Sequence, residues 1–349
     1  MKTLRKKIIS RYHLKAETDI MKNEVNNRWN QFFLAPYFQK KIWGGRKLET
    51  QFNYDIPAGD IGEAWVISAH PHGPSTILNG ALKGKTLDVA YKENPEYFGN
   101  PKEPVFPLLT KILDANDSLS VQVHPDNEYA RIHEGELGKT ECWYVLSAEP
   151  GSYLIYGHHA KTKAELKEMI ESGDWDHLLR KVPVKKGDFF YVPSGTIHAL
   201  TKGIVVLESQ QSSDTTYRLY DYDRVDAVTG EKRELHLQQS IDTTTVPATD
   251  PKLNIVTTTQ GESKVTEYLQ PPVSPFFYVD KLDVVDELQL SRGEHPYVLV
   301  SIIDGAGQLV VDGQQFGLKK GTNFIIPNQV HDYTLTGQMA AILSAPVEN

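Results

Sequence analysis

The chain has 349 residues, 40% of them hydrophobic, and a formal net charge of −8. That length suggests about two domains with sizeable cores and argues against a disordered chain. The acidic balance argues against nucleic acid and anionic membranes as partners, and a single cysteine excludes an intrachain disulfide and suits a reducing cytoplasm.

In chain order, the start MKTLRKKIISRYHLKAETDIMKNEVN is basic and lacks the long apolar region of a secretory signal. Residues 1–30 are therefore expected to form a peripheral extension. Helical spacing occurs at Thr86–Phe98 and at Lys161–Arg180, the second broken by Gly-Asp. The rest alternates short runs rich in Val, Ile, Tyr, Phe and Thr with Gly, Pro, Asn and Asp clusters. That pattern predicts an all-β protein of the sandwich or jelly-roll type with a few short helices.

Two segments echo each other. KKGDFFYVPSGTIH at Lys185–His198 is followed later by KKGTNFIIPNQVH at Lys319–His331, and ECWYVLS at Glu141–Ser147 by EHPYVLVS at Glu294–Ser301. A pair of elements repeated roughly 130–150 residues apart predicts two related β-barrel modules, 31–245 and 246–349. TTTVPATDPK at Thr243–Lys252 reads as the linker.

Strand alternation puts Gln122 and His124 of VQVH on one face, and Lys139, Glu141 and Trp143 of GKTECWY on another. Cys142 then points away and reads as packing. Gly187-x5-Pro193-x-Gly195-x2-His198 makes a tight turn that aims His198 inward at a strand end. Two imidazoles, a carboxylate and an amide oxygen make a mixed nitrogen/oxygen metal site. Without a thiolate, that donor set does not select zinc over iron, manganese or nickel. A lone histidine is ordinarily a hydrogen-bonded core or surface group, and His70, His72, His158 and His159 are read so. Here the Q-x-H pair and the Gly/Pro/Gly/His string coincide. The second module keeps Glu294 and His331 but has no upstream Q-x-H or H-x-H, and alternation puts His295 opposite Glu294, so it is expected to be metal-free.

The Gly-x5-Pro-x-Gly-x2-His string resembles the second cupin motif. The first cupin motif departs from its usual H-x-H form, with Gln122 in the first slot and Glu141 well downstream. VQVHPD, GKTECWY, VPSGTIHAL, GEAWVISAH and LESQQSSDTTYRLYDYDR together resemble the type I mannose-6-phosphate isomerases in their short bacterial form, from about Phe33 to the C-terminus. The resemblance implies two cupin barrels and one Zn²⁺ per chain, in an enzyme that interconverts mannose 6-phosphate and fructose 6-phosphate through an enediolate. It puts the zinc ligands on Gln122, His124, Glu141 and His198, the catalytic arginine on Arg218, and substrate contacts on Lys139 and Glu208. Such chemistry needs a base, oxyanion stabilisation and a grip on the phosphate, and the planar fork of Arg218 suits either anion. A cupin oxygenase or other metal oxidoreductase, and a non-catalytic sugar-binding cupin, are the alternatives, because fold alone does not give function. Oligomeric state and the proton-transfer base stay open.

Overall fold

The computed structural model describes residues 32–225 and 230–347, and the expected extension 1–30 lies outside them. The N-terminal strands are β1 (Phe32–Ala35), β2 (Tyr37–Gly45), β3 (Ile61–Ser68), β4 (Thr76–Ile77), β5 (Leu108–Ala115), β6 (Val121–Val123), β7 (Glu141–Ala148), β8 (Tyr153–His158), β9 (Leu179–Pro183), β10 (Phe189–Val192), β11 (His198–Leu200), β12 (Ile204–Gln211) and β13 (Tyr217–Tyr220). The C-terminal strands are β14 (Val256–Gln260), β15 (Ser263–Leu269), β16 (Phe277–Ser291), β17 (Val298–Val311), β18 (Gln314–Lys319), β19 (Asn323–Ile326) and β20 (Asp332–Pro346).

The first module is two antiparallel sheets. One runs β10-β7-β12-β5-β3-β2 and the other β13-β6-β11-β8-β9. Trp43, Leu113, Trp143 and Val145 of the first sheet pack with Leu154, Tyr156 and Leu200 of the second, so the two inner faces share a core. The outer face of the five-stranded sheet, with Val121, Val123 and Ala199, is covered by α4 (Lys163–Ser172), α5 (Trp175–Leu178) and α6 (Leu237–Thr243). Tyr144, Leu146 and Leu207, on the outer face of the six-stranded sheet, join Phe277, Leu299 and Ile342 of the C-terminal module in one core. β3 and β5 are covered on both sides and read as unbroken buried runs.

The C-terminal module is a nine-stranded sheet, β14-β15-β16-β20-β17-β19-β1-β4 with β18 on β17, around its own core of Leu282, Val300, Leu309 and Phe324. It is completed by N-terminal chain: Phe32 and Phe33 pair with Ile325 and Phe324. The architecture is mostly β, and the all-β cupin expectation holds.

Both expected helices break up. Leu87–Glu93 (α2) is followed by a separate 3₁₀ turn, Pro95–Phe98, because Pro95 cannot continue the helix. In the second, Thr162 caps α4 by accepting the Glu165 N–H, and Gly173 ends it at φ 71°. α5 follows, and Leu179 and Arg180 belong to β9. Two further short helices, α1 (Lys47–Phe52) and α3 (Asn127–His133), and α6 carry too little periodicity to be read from sequence. Among the described residues no helix is long and apolar enough to cross a membrane.

Candidate metal centre and active site

Val121 and Val123 point into the helix-covered core, so alternation turns Gln122 to the inner face of β6. His124 follows directly, and its carbonyl accepts the Gly195 N–H at 2.9 Å. Gly195 has φ 83°, and a Cβ there would meet Thr245, so the turn that delivers His198 to β11 requires glycine. His198 then pairs in register with Gln122. Glu141 opens β7 on the opposite sheet.

These side chains meet. His198 Nε2 lies 3.2 Å from Glu141 Oε1, and His124 Nε2 lies 3.4 Å from Glu141 Oε2. The Gln122 amide end lies 3.4 Å from His198 Nε2, and a half-turn of that amide exchanges its nitrogen for its oxygen. His124, Glu141 and His198 are all buried, with one donor atom from each within 4.8 Å of the others. Both His124 nitrogens and both Glu141 oxygens are buried without a hydrogen-bond partner, a condition buried polar groups rarely tolerate. His198 Nδ1 lies 2.8 Å from the Thr196 carbonyl, which fixes the proton on Nδ1 and turns the Nε2 lone pair inward. Burial holds the His124 pKa down to about 3, so the ring is neutral. Burial alone would raise Glu141, but Lys139, His198 and His124 outweigh it and hold the carboxylate well below its usual range. A neutral His124 ring, an ionised carboxylate and orphaned ligand atoms fit a divalent cation.

A row of polar side chains crosses the six-stranded sheet beside this group. Trp65, Lys111, Glu208 and Trp143 are successive register partners on β3, β5, β12 and β7. Lys111 Nζ lies 3.5 Å from Glu208 Oε1 and 3.9 Å from Glu63 Oε2. The Trp143 indole N–H donates to Glu208 Oε2 at 2.8 Å, and that of Trp65 to Glu63 at 2.6 Å. Burial would raise Glu63, but Lys41 and Lys111 bring it down to about 2. Glu208 is raised, by burial first and then by the Glu141 charge. Lys139 Nζ lies 3.6 Å from Glu141 Oε2, which places it among these groups.

Arg218 sits on β13 as the register partner of Gln122. Its Nη1 donates to the Glu234 carbonyl at 2.7 Å, and its Nε is buried without a partner. Structure thus brings Gln122, His124, Glu141, His198, Lys139 and Glu208 together, while Arg218 is placed beside Gln122 by backbone register and turns its guanidinium to Glu234. Sequence reasoning missed Lys111 and Glu63, although both are charges inside otherwise apolar strands, and did not see that Trp143 touches Glu208.

Outside this group, His70, His72 and Asp214 form a second set whose potential ligand atoms lie within 4.8 Å of one another, with His72 exposed. His70 accepts the His72 N–H on Nδ1 at 3.2 Å and faces Glu136 Oε1 with Nε2 at 3.5 Å, so both ring nitrogens are committed. Glu136 also accepts from Ser213 and Thr215, which ties down the turn between the Glu208 and Arg218 strands. His158 is buried beside the Thr245 carbonyl. Cys142 and Trp43 are core residues. In the second module, Gly293 at φ 62° puts Glu294 in a turn, not in the alternating strand expected for it. His331 is exposed beside Asp332. Among the described residues, no metal-capable group of side chains falls in that module.

Fold and site together define a mostly β cupin with an inward-facing histidine–carboxylate group suited to a metal ion. The family profile for the type I phosphomannose isomerase catalytic domain matches residues 32–167, and that for the mannose-6-phosphate isomerase cupin domain matches 248–346. The mannose-6-phosphate isomerase of Streptococcus mutans is 54% identical over 312 residues, covering 89% of this chain and 97% of that protein. ManA of Bacillus subtilis, also a mannose-6-phosphate isomerase, is 47% identical over 313 residues, covering 89% and 98%. The crystal structure of the Bacillus subtilis mannose 6-phosphate isomerase superposes with a TM-score of 0.86 at 46% identity, covering 90% of this chain and 99% of that one. The chain belongs to the type I phosphomannose isomerase family.

Proposed function

We propose that the chain interconverts mannose 6-phosphate and fructose 6-phosphate between the two sheets of the 31–245 module, beside one zinc ion held by Gln122, His124, Glu141 and His198. The observation that carries this reading is the convergence of orphaned, buried ligand atoms beside a cation–carboxylate row, in a chain of this family. When bound, the ion would polarise the sugar carbonyl as a Lewis acid.

The chain's own residues supply the rest. Glu208 is buried, and its Oε1 has no hydrogen-bond partner, so that oxygen is open to take the proton from sugar C2. The C2–H electron pair then forms the C1=C2 bond and the carbonyl pair moves to O1. Return of the proton to C1, with transfer of the O2 proton to O1, completes the ketose. Burial and the neighbouring Glu141 charge raise the Glu208 pKa, which makes the carboxylate a stronger proton acceptor than a free one. Lys111 and Lys139 place two positive charges where the oxyanion develops. Arg218 offers uncommitted donors to that anion or to the phosphate. The 246–349 module is read as a metal-free partner, and a reducing cytoplasm suits the single buried thiol.

The test is a coupled assay with mannose 6-phosphate before and after chelation. Activity should vanish with the metal and return with zinc at one ion per chain. Metal-independent turnover would overturn the reading, and oxygen uptake would redirect it to an oxidoreductase.

A further inference from the structure

We propose that Trp143 is a positioning residue for proton transfer, acting through Glu208. This rests on the reading of Glu208 as the proton-transferring group. A carboxylate has two equivalent oxygens, and a carboxylate free to rotate presents either. Here the equivalence is broken. Glu208 Oε2 accepts the Trp143 indole N–H at 2.8 Å, whereas Oε1 is buried, faces Lys111 Nζ at 3.5 Å and has no hydrogen-bond partner.

Trp143 is itself fixed. It is 1% exposed, and its strand is paired on both sides, with Phe190 of β10 and Glu208 of β12 as register partners. Its ring meets the His198 imidazole edge-on, with centroids 5.3 Å apart and planes at 72°. One rigid indole therefore touches the carboxyl group and a candidate metal ligand together. It sets the distance between the oxygen that moves the proton and the place where the sugar oxygens bind. A buried tryptophan commonly serves as core, and Trp143 does pack with Val145 and Leu200. What separates the two roles is whether its loss is felt through Glu208.

The experiment is a double-mutant cycle on the metal-saturated enzyme, reading kcat, KM for mannose 6-phosphate, metal content and far-ultraviolet circular dichroism. Trp143→Phe removes the N–H and keeps an aromatic ring. It should lower kcat about tenfold, with KM changed by less than about twofold and metal retained, because misplacing a reacting group acts on the chemical step. In the Glu208→Gln background the same substitution should lower the residual kcat by less than about twofold. An equal fractional loss in both backgrounds would show that Trp143 acts through packing or through His198 and would overturn the proposal, as would an unchanged kcat in the single variant. Glu208→Gln at full activity would instead overturn the reading of Glu208. If Trp143→Phe does not fold, Trp143→His takes its place. Its Nε2–H restores a donor at similar reach, so kcat within about threefold of the parent enzyme is expected, and a tenfold loss in a folded, metal-loaded protein would overturn the proposal.

Discussion

Lys111 and Glu208 stand opposite each other on neighbouring strands, ammonium to carboxylate oxygen 3.5 Å, each only 3% exposed. Lys111 also lies close to Glu63, so one cation serves two buried carboxylates. Removing it leaves Glu208 without its nearest cation and leaves Glu63 to Lys41, 3.3 Å away. Lys111→Met should lower unfolding free energy by roughly 3–5 kcal/mol, measured by urea denaturation of the metal-saturated protein. Adding Glu208→Gln should recover part of that loss, since the stranded charge disappears. A single variant within about 1 kcal/mol of the parent protein would mean that water or another cation neutralises the pair.

His198→Ala should abolish metal binding and activity together while the fold persists. The imidazole is held by Thr196 and by the Gly195 turn, both set by backbone geometry that does not depend on an ion. The surrounding core of Trp43, Trp143, Leu154 and Leu200 is apolar and extensive. Elemental analysis should find no bound ion, against one per chain in the parent protein, with an unchanged circular dichroism spectrum. An unfolded variant would make the site a structural one.

The ligand strings were legible because alternation along a strand and the Gly/Pro turn are local properties. VQVH and the turn before His198 declare their inward faces without reference to the rest of the chain. Register is non-local, and no string shows that Arg218 faces Gln122 or that Glu208 stands between Lys111 and Trp143. The entry of β1 into the C-terminal sheet is hidden for the same reason. The alternation argument also failed where the chain was not a strand: Gly293 breaks the run at Glu294, a position that only the turn conformation decides. Lys111 in LLTKILDA and Glu63 in IGEAWVIS carried a usable signal, because a charge inside a strand covered on both faces needs a partner.

Stability of the C-terminal module should depend on pH through Asp280. Burial, and then the Glu267 charge on the register partner, push its pKa up to about 7. The folded value lies above the unfolded one of about 3.9, so the folded state binds the extra proton. The associated stability is fully present below about pH 4 and is lost as pH rises through 7, amounting to at most about 4 kcal/mol. Asp280→Asn removes this dependence. Its melting temperature relative to the parent protein should therefore rise steadily from pH 5 to pH 8, read by calorimetry with metal saturated throughout. A difference that stays constant over that range would place the titration elsewhere.

Arg218→Lys should keep both metal and fold but lower kcat/KM by at least about a hundredfold, equivalent to roughly 2.7 kcal/mol of transition-state stabilisation. Arg218, Gln122 and His198 lie side by side on three adjacent strands, so register carries the Arg218 backbone next to two candidate ligands. One arm is anchored on the Glu234 carbonyl, while Nε stays buried and unpaired. Lysine preserves the charge and loses both the anchor and the parallel donors that match two adjacent oxygens. A contact made only to the phosphate is similar in ground and transition states, and its loss would raise KM with kcat nearly unchanged. A contact to the developing oxyanion would instead lower kcat. The position of Arg218 opposite a candidate ligand favours the second outcome. Near-parental kinetics at full metal occupancy would remove Arg218 from the reaction.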